Sequence, residues 1–158
     1  MRLIDLSQEI RAEMPVYPGT EPPTFCGVCC IEKNGFAETG LNMHSHTGTH
    51  IDTPAHVLNG APGLDRHPVQ SFCGKGTVIN LNAIGKDAID IQDLEPYQNK
   101  VSASEYLLLS TGSSELWRTE TYFRSYPALT CSDAQWLTRF PLKGIGIVVI
   151  SIEGVDSI

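Results

Sequence analysis

Apolar positions along the chain fall in short runs bounded by glycine, proline or asparagine. "RLIDLS" (2–7), "TFCGVCCI" (24–31), "TVINL" (77–81), "EYLLLS" (105–110) and "GIGIVVIS" (144–151) each read as a strand. The last is apolar nearly throughout, which suits a central strand covered on both faces. Helical spacing is rarer. "SDAQWLTRF" opens on Ser132 with Gln135 three residues on, a capping-box pattern, and places Trp136, Leu137 and Phe140 on one helical face. "SSELWRTETYF" predicts a helix starting near Ser113 or Ser114, and "IQDLEPYQN" a short helical turn limited by Pro96. Between Met14 and Thr24 four prolines and a glycine predict a stiff loop. Strands interleaved with helices, without internal repeats, give an α/β fold. The expectation is one domain over 1–158 with a mixed β-sheet flanked by helices.

Composition narrows the partners. With 41% hydrophobic and 18% charged residues, the chain of 158 residues reads as globular. A net charge of −7 without any Lys/Arg cluster argues against nucleic acid and anionic membranes as partners. A neutral or weakly charged small molecule fits better. The longest strongly apolar run, Ile145 to Ile152, is far short of the roughly 18–20 residues of a membrane span. Charges at Arg2, Asp5 and Glu9 stand where a signal peptide would be apolar, so the expected location is the cytoplasm. Cys26, Cys29 and Cys30 offer only one half of a structural zinc site, and with Cys73 and Cys131 they read as reduced thiols. Nothing around Cys73 marks an activated thiolate. The apolar strand at 144–151 is followed only by "EGVDSI". A buried strand of this kind continues into a crossover or a partner, so the expectation is C-terminal material that is missing or supplied by another chain.

The chemistry concentrates in "HSHTGTHIDTPAH" (44–56), which holds four of the five histidines. A helix would bring His46 and His50 together but turn Asp52 away. An extended chain points His44, His46, His50 and Asp52 to one face. Straight extension would separate His46 from His50 by roughly 13 Å, so the chain must bend between them. Gly48 at the midpoint tolerates such a bend. Pro54 ends the strand and leaves His56 in a following turn, free to lean back over the site. Two imidazoles and a carboxylate suit Zn²⁺, and also Mn²⁺ or Fe²⁺. Asp52, with two oxygens, could bridge a second ion. His56 suits a proton shuttle. Thr47 and Thr49 could hold the imidazoles in place. His44 is the weakest member of the set, and His67 reads as a loop residue.

"HTGTHIDTPAH" resembles the His-x-Gly-Thr-His-x-Asp-x-Pro-x-His signature of the cyclase-like metal hydrolases, a family that includes bacterial kynurenine formamidase (arylformamidase) and isatin hydrolase. "LIDLSQEIRAEMPVYPGTEPP", "SFCGKGTVINL", "LLLSTG" and "GIGIVVISIEGVDSI" resemble its opening strand and Pro-Gly loop, its following strands, and a strand with a Ser/Asp-containing turn. The resemblance implies a swivelling β/β/α fold, with His46, His50 and Asp52 as metal ligands and Asp52 bridging two ions in binuclear members. It implies that His56 is the catalytic proton donor and acceptor, that Tyr17 lines the substrate pocket, and that the protein is a homodimer or homotetramer. Kynurenine formamidases usually carry tryptophan at the Tyr17 position. The family continues past the equivalent of Ile158 with a further His and Glu that complete the metal site, which implies a C-terminal truncation here. Three readings follow: a metal-dependent hydrolase of a formamide or cyclic amide, an impaired relative that only binds metal or a small ligand, and, more remotely, a hydrolase built on Cys73.

Overall fold

A computed structural model describes residues 2–81 and 86–154. The chain forms two compact units, Met1–Arg66 and His67–Ile158. The α/β class expected from the pattern is the one observed, with antiparallel and parallel strand pairs occurring in separate sheets joined by short helices.

The first unit is built around one hairpin. Strand β1 (Thr24–Cys29) pairs antiparallel with β2 (Glu38–Asn42), and the register shifts between Gly27 and Cys29. Helix α1 (Ile31–Asn34) lies in the connection. Ahead of the hairpin, the Thr20 amide donates to the Tyr17 carbonyl at 2.9 Å, and Gly19 sits at φ 87°. With Pro18 second and Gly19 third in that four-residue turn, this is type II geometry, which needs a positive φ at its third position. Residues 2–7, expected as a strand, carry no strand pairing. Asp5 Oδ1 accepts the Ser7 amide at 2.9 Å, and this local hydrogen bond competes with a β-ladder. Only Met14, Pro23 and Thr47 are buried among the described residues of this unit. Large apolar side chains stand in the open, among them Leu3 (83% exposed), Leu41 (65%) and Val57 (70%).

The core lies in the second unit. Strands β3 (Gly76–Asn80), β5 (Tyr106–Ser110) and β7 (Gly144–Ile147) form a parallel sheet in the order β3-β5-β7. A small parallel pair joins β4 (Ala88–Ile89) to β6 (Ala128–Leu129). Parallel neighbours need crossovers. Here these are made by α2 (Ile91–Leu94), α3 (Gln98–Ser102), α4 (Thr121–Arg124) and α5 (Cys131–Leu137). Alternation along the strands sends Ile79, Leu107 and Leu109 to one face, where they meet Ile89, Leu94, Val101, Trp136 and Leu137. Each fully buried side chain of this kind contributes about 1.5–3 kcal/mol from water exclusion.

Three elements differ from expectation. β7 is at the sheet edge among the described residues and ends at Ile147, while β5, paired on both sides, takes the centre with Leu107 and Leu109 fully buried. α5 starts two residues early. Thr130 caps it, with the Asp133 carboxylate returning to the Thr130 amide at 2.8 Å, so the capping box is Thr130–Asp133 rather than Ser132–Gln135. The helix expected over 113–123 is split into a 3-10 turn at Ser113–Leu116 and α4, with Arg118 between them at φ 71°. Of the Ser/Asp-containing turn near the chain end, Asp156 and Ser157 lie outside the described residues. No helix among the described residues is long and apolar enough to cross a membrane.

One carboxylate ties the entries of all three parallel strands. Glu105 pairs with the Lys143 ammonium ahead of β7 and accepts the Lys75 amide ahead of β3 at 2.9 Å. The Lys143 partner and the Lys75 amide hold the Glu105 carboxyl below its ordinary 4.5, while Glu105 raises Lys143 above 10.5. A lowered carboxyl stabilises above its unfolded pKa and loses that effect as pH falls through its folded value. A raised ammonium loses its effect as pH climbs through the folded value. Thermal melts should therefore show Glu105→Gln below wild type at neutral pH. The gap should close on acidification below pH 4.5 and again above pH 10.5. A gap independent of pH would contradict the clamp.

Candidate metal centre

The histidine segment is a tight turn rather than the extended ribbon expected. The Thr47 amide donates to the His44 carbonyl at 3.2 Å, and Gly48 takes φ 68°, a left-handed conformation that glycine adopts without strain. The bend falls where the spacing required it, and it shortens the path from His46 to His50. His46 Nδ1 lies 3.1 Å from His50 Nε2 and 2.8 Å from Asp52 Oδ1. His50 Nε2 lies 3.6 Å from Asp52 Oδ2. One donor atom from each of the three residues falls within 4.8 Å of the others.

These separations fit a common cation. Ligand atoms about 2.0–2.2 Å from a tetrahedral Zn²⁺ are roughly 3.3 Å apart. The tautomer fits as well. His50 Nδ1 is 2.7 Å from the Gly48 carbonyl, which can only accept a hydrogen bond, so Nδ1 carries a proton and Nε2 is the nitrogen turned toward Asp52 and available to a cation. In the metal-free chain a proton on His46 Nδ1 can serve either acceptor, His50 Nε2 at 3.1 Å or Asp52 Oδ1 at 2.8 Å, and a cation would take that proton's place among the three donors. All three side chains are partly open to water, at 42%, 28% and 45% for His46, His50 and Asp52.

Beyond the turn, Pro54 opens a 3-10 turn ending at His56. This carries the His56 ring back against His46, with centroids 4.2 Å apart and planes inclined by 42°. His44 is exposed and outside the group of three. Tyr17 stands on its type II turn, 45% exposed. All five cysteines are free, and Cys73 is exposed, its carbonyl accepting from Lys143 Nζ at 3.2 Å. Sequence reasoning did not find the Gly48 carbonyl as the partner of His50, nor the hydrogen bond from the Gln8 amide to Thr49 Oγ1 at 3.0 Å. The first follows only once the bend is known. The second joins residues 41 apart and leaves no local signal.

The profile of the Cyclase family matches residues 4–154. The chain belongs to the Cyclase family. Its relatives include the kynurenine formamidase of Bacillus cereus, 31% identical over an alignment of 157 residues that covers 97% of this chain and 71% of that protein. Among solved structures, isatin hydrolase A from Labrenzia aggregata matches with a TM-score of 0.84 at 20% identity, covering 97% of this chain and 70% of that one. A predicted metal-dependent hydrolase from Bacillus stearothermophilus matches with a TM-score of 0.76 at 22% identity, covering 98% and 72%. At those identities the two structures speak to fold alone. The turn carrying His46, His50, Asp52 and His56 lies inside the Cyclase match.

Proposed function

We propose that this Cyclase-family chain is a metal-dependent hydrolase of a formamide or cyclic amide, with an N-formyl-kynurenine type of substrate. The convergence of His46, His50 and Asp52 carries the reading, and the kinship to kynurenine formamidase supports the substrate class. These three residues would hold Zn²⁺ or Mn²⁺, and Asp52, with both oxygens turned to imidazoles, would bridge a second ion. When bound, such a cation supplies Lewis acidity, polarising a carbonyl and bringing the deprotonation of water near neutrality. The chain's own contribution is proton handling and placement. His56, its ring tilted against His46, accepts a proton from the attacking water and delivers it to the leaving nitrogen. Tyr17 would line the substrate's approach.

A second reading, ion binding without turnover, draws on the exposure of all three donors, since water at the site weakens electrostatic stabilisation. The test is hydrolysis of N-formyl-kynurenine and of simple lactams by purified chain. The proposal expects activity that chelation removes and Zn²⁺ or Mn²⁺ restores. Metal uptake without hydrolysis supports the second reading. Activity that survives chelation and dies on thiol alkylation returns the case to Cys73. Exposed apolar side chains such as Leu3, Leu41 and Val57 support the further proposal of self-association into a homodimer or homotetramer. A monomer mass in sedimentation equilibrium would contradict it.

A further inference from the structure

We infer that Gln8 to Met14 brace the metal-binding turn, and that Thr49 is the positioning residue through which the brace acts. The inference rests on the metal-centre reading above and adds what keeps its geometry. A turn whose side chains are largely in water has little reason to hold one shape. Yet His46, His50 and Asp52 need a fixed one, because ligand affinity depends on donors already in place.

Two contacts hold the turn from the same segment. Thr49 sits between the bend glycine and His50, and its Oγ1 accepts the Gln8 amide at 3.0 Å. At Gly48 itself, a β-carbon would lie 3.2 Å from Met14 Cε and 3.5 Å from Ile10 Cγ1, so both side chains rest against the glycine. Met14 is 5% exposed, in a unit that buries few side chains, and its amide is turned back onto the Arg11 carbonyl at 3.1 Å. One strap therefore meets consecutive residues of the turn, with a hydrogen bond at 49 and apolar contact at 48.

The consequence reaches the donor set through a single peptide group. His50 Nδ1 bonds the Gly48 carbonyl at 2.7 Å, so the orientation of that carbonyl decides which ring nitrogen of His50 faces Asp52. A strap that fixes residues 48 and 49 fixes this carbonyl. Thr49 touches neither ion nor substrate in this account. It acts through Gly48 and His50.

The experiment uses the full chain with four substitutions and two readouts. Thr49→Val keeps the β-branched shape and deletes the acceptor, and Thr49→Ser restores a hydroxyl. Gln8→Pro deletes the same bond from the donor side, whereas Gln8→Ala keeps the backbone N–H. Zn²⁺ affinity is read by competition with a chromophoric chelator, and hydrogen exchange over 44–52 is read on metal-free protein. Thr49→Val and Gln8→Pro are expected to weaken Zn²⁺ binding about 10- to 100-fold, the usual cost of losing a partner behind a ligand, with Thr49→Ser and Gln8→Ala within about threefold of wild type. Exchange should rise in the first two and not in the second two. Wild-type affinity and exchange in both Thr49→Val and Gln8→Pro would overturn the brace while leaving the metal centre standing. A wild-type chain that takes up no Zn²⁺, with exchange responding as expected, would overturn the metal reading and the positioning role together.

Discussion

Replacing His56 with alanine is expected to lower amide-hydrolysis turnover about 10²- to 10⁴-fold, the range that a positioned general acid–base contributes. Zn²⁺ affinity should stay within a few-fold of wild type. The two halves of this expectation have separate structural causes. His56 is outside the group whose donor atoms converge, so removing it subtracts no ligand. Its ring is against His46, with centroids 4.2 Å apart, so it stands beside the reacting region and can pass a proton there. His56→Gln keeps some of the packing but cannot cycle a proton near neutrality, and it should be nearly as slow. Steady-state kinetics on N-formyl-kynurenine, set beside a chelator-competition titration, measures both quantities on one preparation. Undiminished turnover would remove His56 from the mechanism. A collapse of Zn²⁺ affinity would make it a ligand instead.

The ligands themselves should respond in the opposite sense. His50→Ala is expected to weaken Zn²⁺ binding by more than about 100-fold, since loss of a supporting partner alone already costs about 10- to 100-fold. His50 is the least exposed of the three donors and the only one whose second ring nitrogen is seen fixed on a backbone carbonyl, at Gly48. His44→Ala is the matched control. It lies two residues before His46 on the same turn, and it is outside the converging group, so its removal should leave affinity nearly unchanged. Equal losses at His44 and His50 would mean that the segment binds metal as a loose histidine cluster rather than through the geometry described.

What could be read from the sequence divides along a physical line. Short apolar runs between breakers, such as Tyr106–Ser110 and Gly76–Asn80, were legible because a parallel strand packed between helices is apolar along its length and ends at polar or glycine residues. The need for a bend at Gly48 was legible from reach alone, since His46 and His50 cannot meet across a straight ribbon. Misread segments were those decided by a competing local contact or by a distant partner. Asp5 draws the Ser7 amide away from any ladder, and Thr130 captures the start of α5 with Asp133, two residues ahead of Ser132. Arg118, itself a good helix former, takes φ 71° and interrupts the expected helix with nothing in its side chain to announce it. Among the described residues β7 stands at the edge and β5 at the centre, because apolar content marks burial but not rank order within a sheet. The contacts holding the turn, from Gln8, Ile10 and Met14, come from far along the chain and carry no periodic signature.

The most direct measurement is zinc K-edge X-ray absorption on the wild-type chain loaded with one equivalent of Zn²⁺. The account predicts a first shell of nitrogen and oxygen only, at about 2.0–2.2 Å, with outer-shell scattering from two imidazoles. Sulfur at about 2.3 Å, pointing to Cys26, Cys29 or Cys30, or a shell without imidazole scattering, would contradict it.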